Sequence, residues 1–352
     1  MKKNFFMGTA VLLVFVVGFF VFSSGDAIAA DEPYQIEISG LWPGGSVYST
    51  AVQWAKLINE NSRSVKAVAR EGKGPNIDMK SLIRYPDERK KLVYFGVEDD
   101  WWSAQQGLPG WEPFEGKYDF DNFRHICMIG FVVDVMLTTS ESIRSMHDMN
   151  GKSFSPAERD LNNAKSMAWT RAFKLAGVKP NYRPLGTKQM IESCRDGLLD
   201  VAHGGIILIG PHKFMPSPYL NELFATKKVY PVTMDLKYLK EMKEKTGHPG
   251  VIVEFGPNAI NEHQNYPVCA LGKAMTWMCD KSIPEEVIKE ILGAYYNNIE
   301  KFAELTPGGR VLTKKTIAAV DVPESRFHPA AVEFFKANEV QITSLKALGY
   351  VD

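Results

Sequence analysis

The sequence predicts an α/β fold: a clamshell of two α/β lobes joined by hinge strands. Three observations predict it. Strands run into loops that open helices three times before about residue 105, and the first two of these loops are glycine-rich. The rhythm restarts after about residue 150. The chain then leaves the first lobe near Leu137 and returns near Val268, and two such crossings make a hinge. The expected divisions are residues 1–29 as a signal segment, 30–137 together with 268–352 as lobe I, and 138–267 as lobe II.

The first unit is YQIEIS, Tyr34 to Ser39, whose alternation reads as a strand. GLWPGG follows, with Ser46 as the N-cap of a helix whose apolar face is Tyr48, Ala51, Val52, Ala55 and Ile58. Val65 to Ala69 is a second strand, Arg70 to Asn76 a second glycine loop, and a helix starts near Asn76. Lys90 to Val97 is a third strand, followed by EDDWWSAQQG. Ligands of parallel α/β sheets sit beyond the carboxyl ends of the strands. The loops Gly40–Ser46, Arg70–Asn76 and Glu98–Trp102 therefore converge on one rim.

In the second lobe, Gly151 to Ser155 is a strand, Pro156 to Asn163 a loop, and the next helix ends at Gly177. MIESCRDGLLDVAHGG gives a helix, a turn and a strand reaching His203. Pro267 to Asp280 carries the chain back. In SIPEEVIKEILGAYYNNIEKFAEL, Ser282 and Glu285 form a capping box. Ile288, Ile291, Leu292, Tyr295, Ile299 and Phe302 mark the apolar face of that helix.

The first residues set the compartment. Lys2 and Lys3 precede an uninterrupted apolar run, Met7 to Phe22, and Ala27-Ile28-Ala29 is a small-x-small cleavage site. This is a secretory signal peptide, cleaved after Ala29 or Ala30. The run is short for a membrane span, and an uncleaved anchor is the alternative. No second long apolar run follows, so a soluble periplasmic protein is expected. Lys+Arg and Asp+Glu both number 41, a formal net charge of +0. Such a surface offers no field of one sign, and nucleic acid is excluded as a partner. Cys127, Cys194, Cys269 and Cys279 are too sparse for a disulfide scaffold; one bridge and four free thiols both stay open.

The glycine loop can be weighed against known phosphate cradles. Gly40 and Gly45 have Gly-x4-Gly spacing, but Ser46 and Val47 stand where a Walker loop needs Lys and Ser/Thr. A dinucleotide fingerprint is lacking, and no cofactor is expected. Free N–H groups of Gly45, Ser46 and Val47 at a helix start suit a carboxylate or another small anion. Lys73 and Asn76 add donors from the second loop. Glu98, Asp99 and Asp100 can act as paired acids, accept from a substrate amine, or cap their helix. Trp42, Trp101 and Trp102 lie close to these loops, to line a cleft or fill the core, and His203 at a strand end is either a cleft residue or a structural histidine. No nucleophile elbow, His-Glu-x-x-His or zinc spacing occurs, so neither catalysis nor a metal is expected.

From about Tyr34 to Asn338 the chain resembles the TAXI solute-binding proteins, extracytoplasmic receptors of one class of TRAP transporter. GGSVYSTAVQWAKLIN resembles their glycine loop and first helix, GKGPN their second ligand loop, and FGVEDDWWSAQQG the stretch after the third strand. MNGKSFS, RDGLLDVAHGG and FHPAAVEFF resemble later motifs in the same order. The resemblance implies a periplasmic-binding-protein clamshell that captures a small organic acid and delivers it to a TRAP-type integral membrane permease; a monomer is expected. It departs from the family in the second lobe, where SPAERDLNNAK replaces a Gly-Ser-Gly-Thr loop. Arg159, Asn162 and Asn163, next to Ser155, are the candidates to take over its contacts. Tyr48, Asn76 and a tryptophan, Trp42 or Trp101, would orient the rest of the ligand. A receptor for an ABC permease or sensor kinase is the first alternative. A periplasmic enzyme using Glu98 or Asp99 is the second.

Overall fold

A long buried sheet is the frame of the molecule. The structure, a computed structural model, describes residues 32–43, 45–108, 111, 116–156, 164–210 and 213–345. The signal segment and the candidates Arg159, Asn162 and Asn163 lie outside the described residues. The described residues from Pro33 onward form one compact unit.

The first lobe is built as its sequence rhythm demands. Strands β1 (Tyr34–Ser39), β2 (Val65–Arg70) and β3 (Leu92–Gly96) pair in parallel in the order β2-β1-β3. Helices α1 (Ser46–Asn61), α2 (Pro75–Arg84) and α3 (Glu98–Gln105) follow them in turn. All five residues of β3 are buried, as a central parallel strand covered on both faces requires. Two long strands come next in the sheet. These are β4 (Phe123–Thr138) and β11 (Val268–Asp280), antiparallel to each other. One end of β11 pairs with β3 and the other with β10 (Val251–Phe255). The far end of β4 pairs with β7 (Val201–Gly210) and β9 (Tyr230–Val232).

Beyond β7 the parallel pattern returns, in β5 (Ser153–Ser155) and β6 (Asn181–Tyr182), with β8 (Lys213–Pro216) on the side. Helices α4 (Ala164–Ala176), α5 (Thr187–Arg195), α6 (Asn221–Thr226) and α7 (Leu236–Thr246) belong to this half. The chain then returns through β11 to α8 (Glu285–Asn297), α9 (Ile299–Leu305) and α10 (Pro329–Ala337). The result is two α/β lobes with β4 and β11 running through both.

Several expectations are corrected in detail. Ser46 is the first helical residue of α1, and Gly45 is its N-cap, with no side-chain cap. The buried face of α1 takes Trp54 and Leu57, while Val52 is exposed. Trp54 stacks on Trp277 of β11 at 5.4 Å, and this packing sets the rotation of the helix. The capping box at Ser282 and Glu285 does not form: Pro284 is the N-cap, and the Ser282 amide donates to Asp280. The predicted apolar face from Ile288 to Phe302 is buried, but Asn298 breaks it into α8 and α9. The four cysteines are buried free thiols. His328, in the FHPAA stretch, caps α10 by accepting from the Ala330 amide.

The loops after β1 and β2 are stitched together beyond the strands. Gly40 N–H donates to the Arg70 carbonyl at 3.1 Å, and Gly72 N–H to the Leu41 carbonyl at 3.2 Å. Ser39 Oγ donates to Asp78 of α2 at 2.8 Å. Gly72 is required here by close approach, since a Cβ would lie 1.8 Å from the Gly40 carbonyl oxygen. Gly72→Ala must therefore push two backbones apart. We expect it to cost about 2–3 kcal/mol, seen as a lowered melting temperature. A melting temperature within 1 °C of wild type would show the loops to be more pliant than this contact implies.

Candidate functional site

A cavity of about 680 Å³ lies where these loops meet the middle of β4, β7 and β11. That size suits a small molecule held between lobes. Gly45, Ser46 and Val47 line it from the start of α1, and Lys73, Pro75 and Asn76 from the start of α2. Thr187, the first residue of α5, lines it from the second lobe. The N-caps of these three helices are Gly45, Gly74 and Gly186, and none carries a side-chain cap. Each helix start leaves N–H groups without intrahelical acceptors at the positive end of the dipole. Three uncapped helix starts on one lining make an anion-binding surface.

Helix α3 is built the opposite way. Its first turn holds Glu98, Asp99 and Asp100, all buried, so the positive end of its dipole is already answered. Asp99 and Asp100 line the cavity. Asp99 Oδ2 accepts from Lys273 Nζ of β11 at 2.7 Å, and the same ammonium reaches Asp134 Oδ2 of β4 at 2.8 Å. Asp134 Oδ1 in turn lies 3.0 Å from His203 Nε2 of β7. This chain of charge runs from α3 through both long strands into the second lobe, along the cavity wall.

The electrostatics follow from burial and pairing. Burial raises the Asp99 carboxyl, but Lys273 and His248 beside it more than offset this and hold it below the usual carboxylate range. Burial depresses Lys273, yet Asp134 and Asp99 together lift it above an ordinary lysine. Glu98 has no such partner. Burial, with Asp99 next to it, pushes its carboxyl up to about 8. Burial also pushes His248 down to about 4.

The structure brings most of the candidate residues to one lining. Trp42, Gly45, Ser46, Val47, Lys73, Asn76, Asp99 and His203 are on it. Trp42 is 44% exposed, with its indole against Gly45. Four candidates stand elsewhere. Glu98 is 1% exposed and turned into the protein, accepting from the Ala274 amide at 3.3 Å. Trp101 lies under Arg326, whose guanidinium carbon is 3.6 Å from the ring centroid. Ser155 is buried and accepts from the Leu185 amide. Tyr48 supplies backbone packing against Gly40 rather than a lining side chain.

The lining also contains residues that the sequence reading passed over. Lys273 and Asp134 are charges in the interior of mostly apolar strands, whose other charged residues, Asp280 of β11 and Arg124 of β4, stand near the strand ends. A charge buried in such a stretch needs a partner, and these two residues have opposite signs. Lys80 sits 4.8 Å over the Trp111 ring, and both line the cavity. Tyr219 and Ser217 close it from the loop after β8, with the Tyr219 hydroxyl accepting from Gly205 N–H at 2.8 Å. Among the described residues no group of three His, Cys, Asp or Glu side chains is placed to hold a metal. No helix among them is long and apolar enough to cross a membrane.

The sequence profile of the NMT1-like family matches residues 42–338. No curated protein matches the chain. Among solved structures, MatC from Rhodopseudomonas palustris with bound malate superposes with a TM-score of 0.50 at 11% identity, over 87% of this chain and 96% of that one. An R. palustris protein with adipate gives 0.49 at 15% identity, over 91% and 99%. The periplasmic binding protein BugD gives 0.49 at 14% identity, over 88% and 98%. The likeness to MatC is one of fold: a two-lobed periplasmic-binding-protein clamshell.

Proposed function

The chain belongs to the NMT1-like family, and we propose that it is a periplasmic solute-binding receptor for a small organic acid. The acid is captured in the cleft between a lobe of residues 30–137 with 268–352 and a lobe of residues 138–267. One observation carries this reading: uncapped starts of α1, α2 and α5 face one cavity of about 680 Å³, with Lys73 beside them. The solute's carboxylate rests on the amides of Ser46 and Val47, the Gly45 N–H being held by the Trp42 carbonyl at 3.1 Å. MatC, which shares the fold, is a malate complex. A ligand shifts the clamshell toward closure only by binding the closed state better, and contacts from both lobes supply that difference.

The residues argue against an enzyme. Glu98 is off the cavity and Asp99 is tied to Lys273, so neither is placed as a free base. Export rests on the signal segment and delivery to a TRAP-type permease on the TAXI resemblance, with the receptor acting as a monomer. An ABC permease or sensor kinase is the alternative partner, and the membrane genes beside this one discriminate between them.

Ser46→Glu tests the anion seat. A glutamate at the first helical position favours the dipole, so the melting temperature should hold or rise slightly. Its carboxylate faces the solute's own, and affinity should fall about 100-fold by calorimetry with whichever carboxylic acid raises the wild-type melting temperature. Unchanged affinity would place the anion elsewhere.

A further inference from the structure

We infer that the solute also carries a hydrogen-bond donor, a hydroxyl or a protonated amine, and presents it to Asp99 on the cavity wall. The inference rests on the receptor reading and adds a selectivity residue to it. Asp99 lines the cavity and is 3% exposed. Lys273 occupies Oδ2, and no donor among the described residues reaches Oδ1. An ionised carboxylate only accepts, so this buried oxygen calls for a donor. Asn76 repeats the pattern, with Oδ1 buried and unserved on the same lining.

The charges agree. Asp99 and Asp134 share the ammonium of Lys273, and Asp134 also meets His203 Nε2 at 3.0 Å, so Lys273 is not given over to Asp99 alone. The helix starts of α1, α2 and α5 want an anion; the wall by Asp99 wants a donor. A plain dicarboxylate satisfies the first demand and fails the second. A hydroxy acid or amino acid satisfies both.

One internal solution competes. His248 Nδ1 accepts from Gly250 N–H at 3.1 Å, so its proton sits on Nε2, which has no acceptor. Asp99 and His248 both border a satellite pocket of about 10 Å³, close to the room one water needs. A water held there would serve Asp99 from behind and free the solute of the task.

Calorimetry on the purified protein separates these cases. The probes are two series of acids: succinate, malate and aspartate, then glutarate, 2-hydroxyglutarate and glutamate. In at least one series, a donor-bearing member should bind at least about tenfold tighter than its donor-less parent. Preference for the hydroxy acid assigns a hydroxyl, and preference for the amino acid an ammonium. Asp99→Asn, which turns an NH2 toward the solute while Lys273 keeps an oxygen, should erase the difference. If the parents bind within tenfold of their derivatives, the inference is overturned, Asp99 is served from the His248 side, and the receptor reading stands. If none of the six acids binds, the receptor reading for small carboxylic acids falls, and the inference with it. The wild-type comparison decides even if Asp99→Asn folds poorly.

Discussion

Lys273→Met should lower the melting temperature at neutral pH by roughly 6 °C. The ammonium holds two buried carboxylates, Asp99 at 2.7 Å and Asp134 at 2.8 Å, and both are less than a tenth exposed. Removing one partner of a buried pair leaves an uncompensated charge and costs about 3–5 kcal/mol. At an unfolding entropy of about 2.1 cal/mol/K per residue, a chain of 352 residues shifts by about 1.4 °C per kcal/mol, which gives about 4–7 °C here. Methionine fills nearly the same volume, so the loss reports charge rather than a cavity. The loss should shrink under acid, where the stranded aspartates can protonate. It should also shrink when Asp99→Asn and Asp134→Asn are added, because the stranded charges are then gone. A single variant melting within 2 °C of wild type at pH 7 would sink the account of a buried charge chain.

That chain is where the sequence was hardest to read. The strands of the first lobe, their parallel order of loops and the apolar face running from Ile288 to Phe302 were legible because each is a local pattern. Alternation, glycine turns and helical spacing report burial of one face against whatever lies beneath. The cavity was legible to the same depth, since the loops at Gly45, Lys73 and Asp99 sit at the ends of those strands. What pairs with what was not legible. Lys273 is 174 residues from Asp99, and its ion pair depends on β11 lying between β3 and β4. Glu98 and Asp99 look alike in the sequence, yet one faces the Ala274 amide and the other the cavity. Their separation is set by the pitch of α3 and by where Lys273 arrives, and neither is a property of the segment EDDWW. Ser46 was misplaced by one residue because Gly45, an uncapped N-cap, leaves no side-chain signal. The uncapped end is also what leaves its amides available to a ligand.

The same pair of acids gives a second large effect, in the pH dependence of stability. Burial raises the Glu98 carboxyl from an ordinary 4.5 to about 8. Between these values the native state keeps a proton that the unfolded chain has lost. Stability therefore falls as pH rises through that window and stays low above it. The full difference is roughly 5 kcal/mol at about 1.4 kcal/mol per unit, an order-of-magnitude ceiling. Other groups titrate nearby. Asp78, raised to about 6 by burial, acts in the same direction, while His248, lowered to about 4, acts in the opposite one below pH 6.5. Asp99 is held below 3.8, so its titration is over before the window opens. Glu98→Gln removes only the Glu98 contribution, because the amide is neutral at every pH and keeps the side chain's size. The two proteins should melt at nearly the same temperature at pH 5, and the variant should melt several degrees higher at pH 8.5. Parallel melting curves across that range would mean that Glu98 is ionised in the folded protein. Its negative charge would then have to be balanced by Lys273, which already serves Asp99 and Asp134.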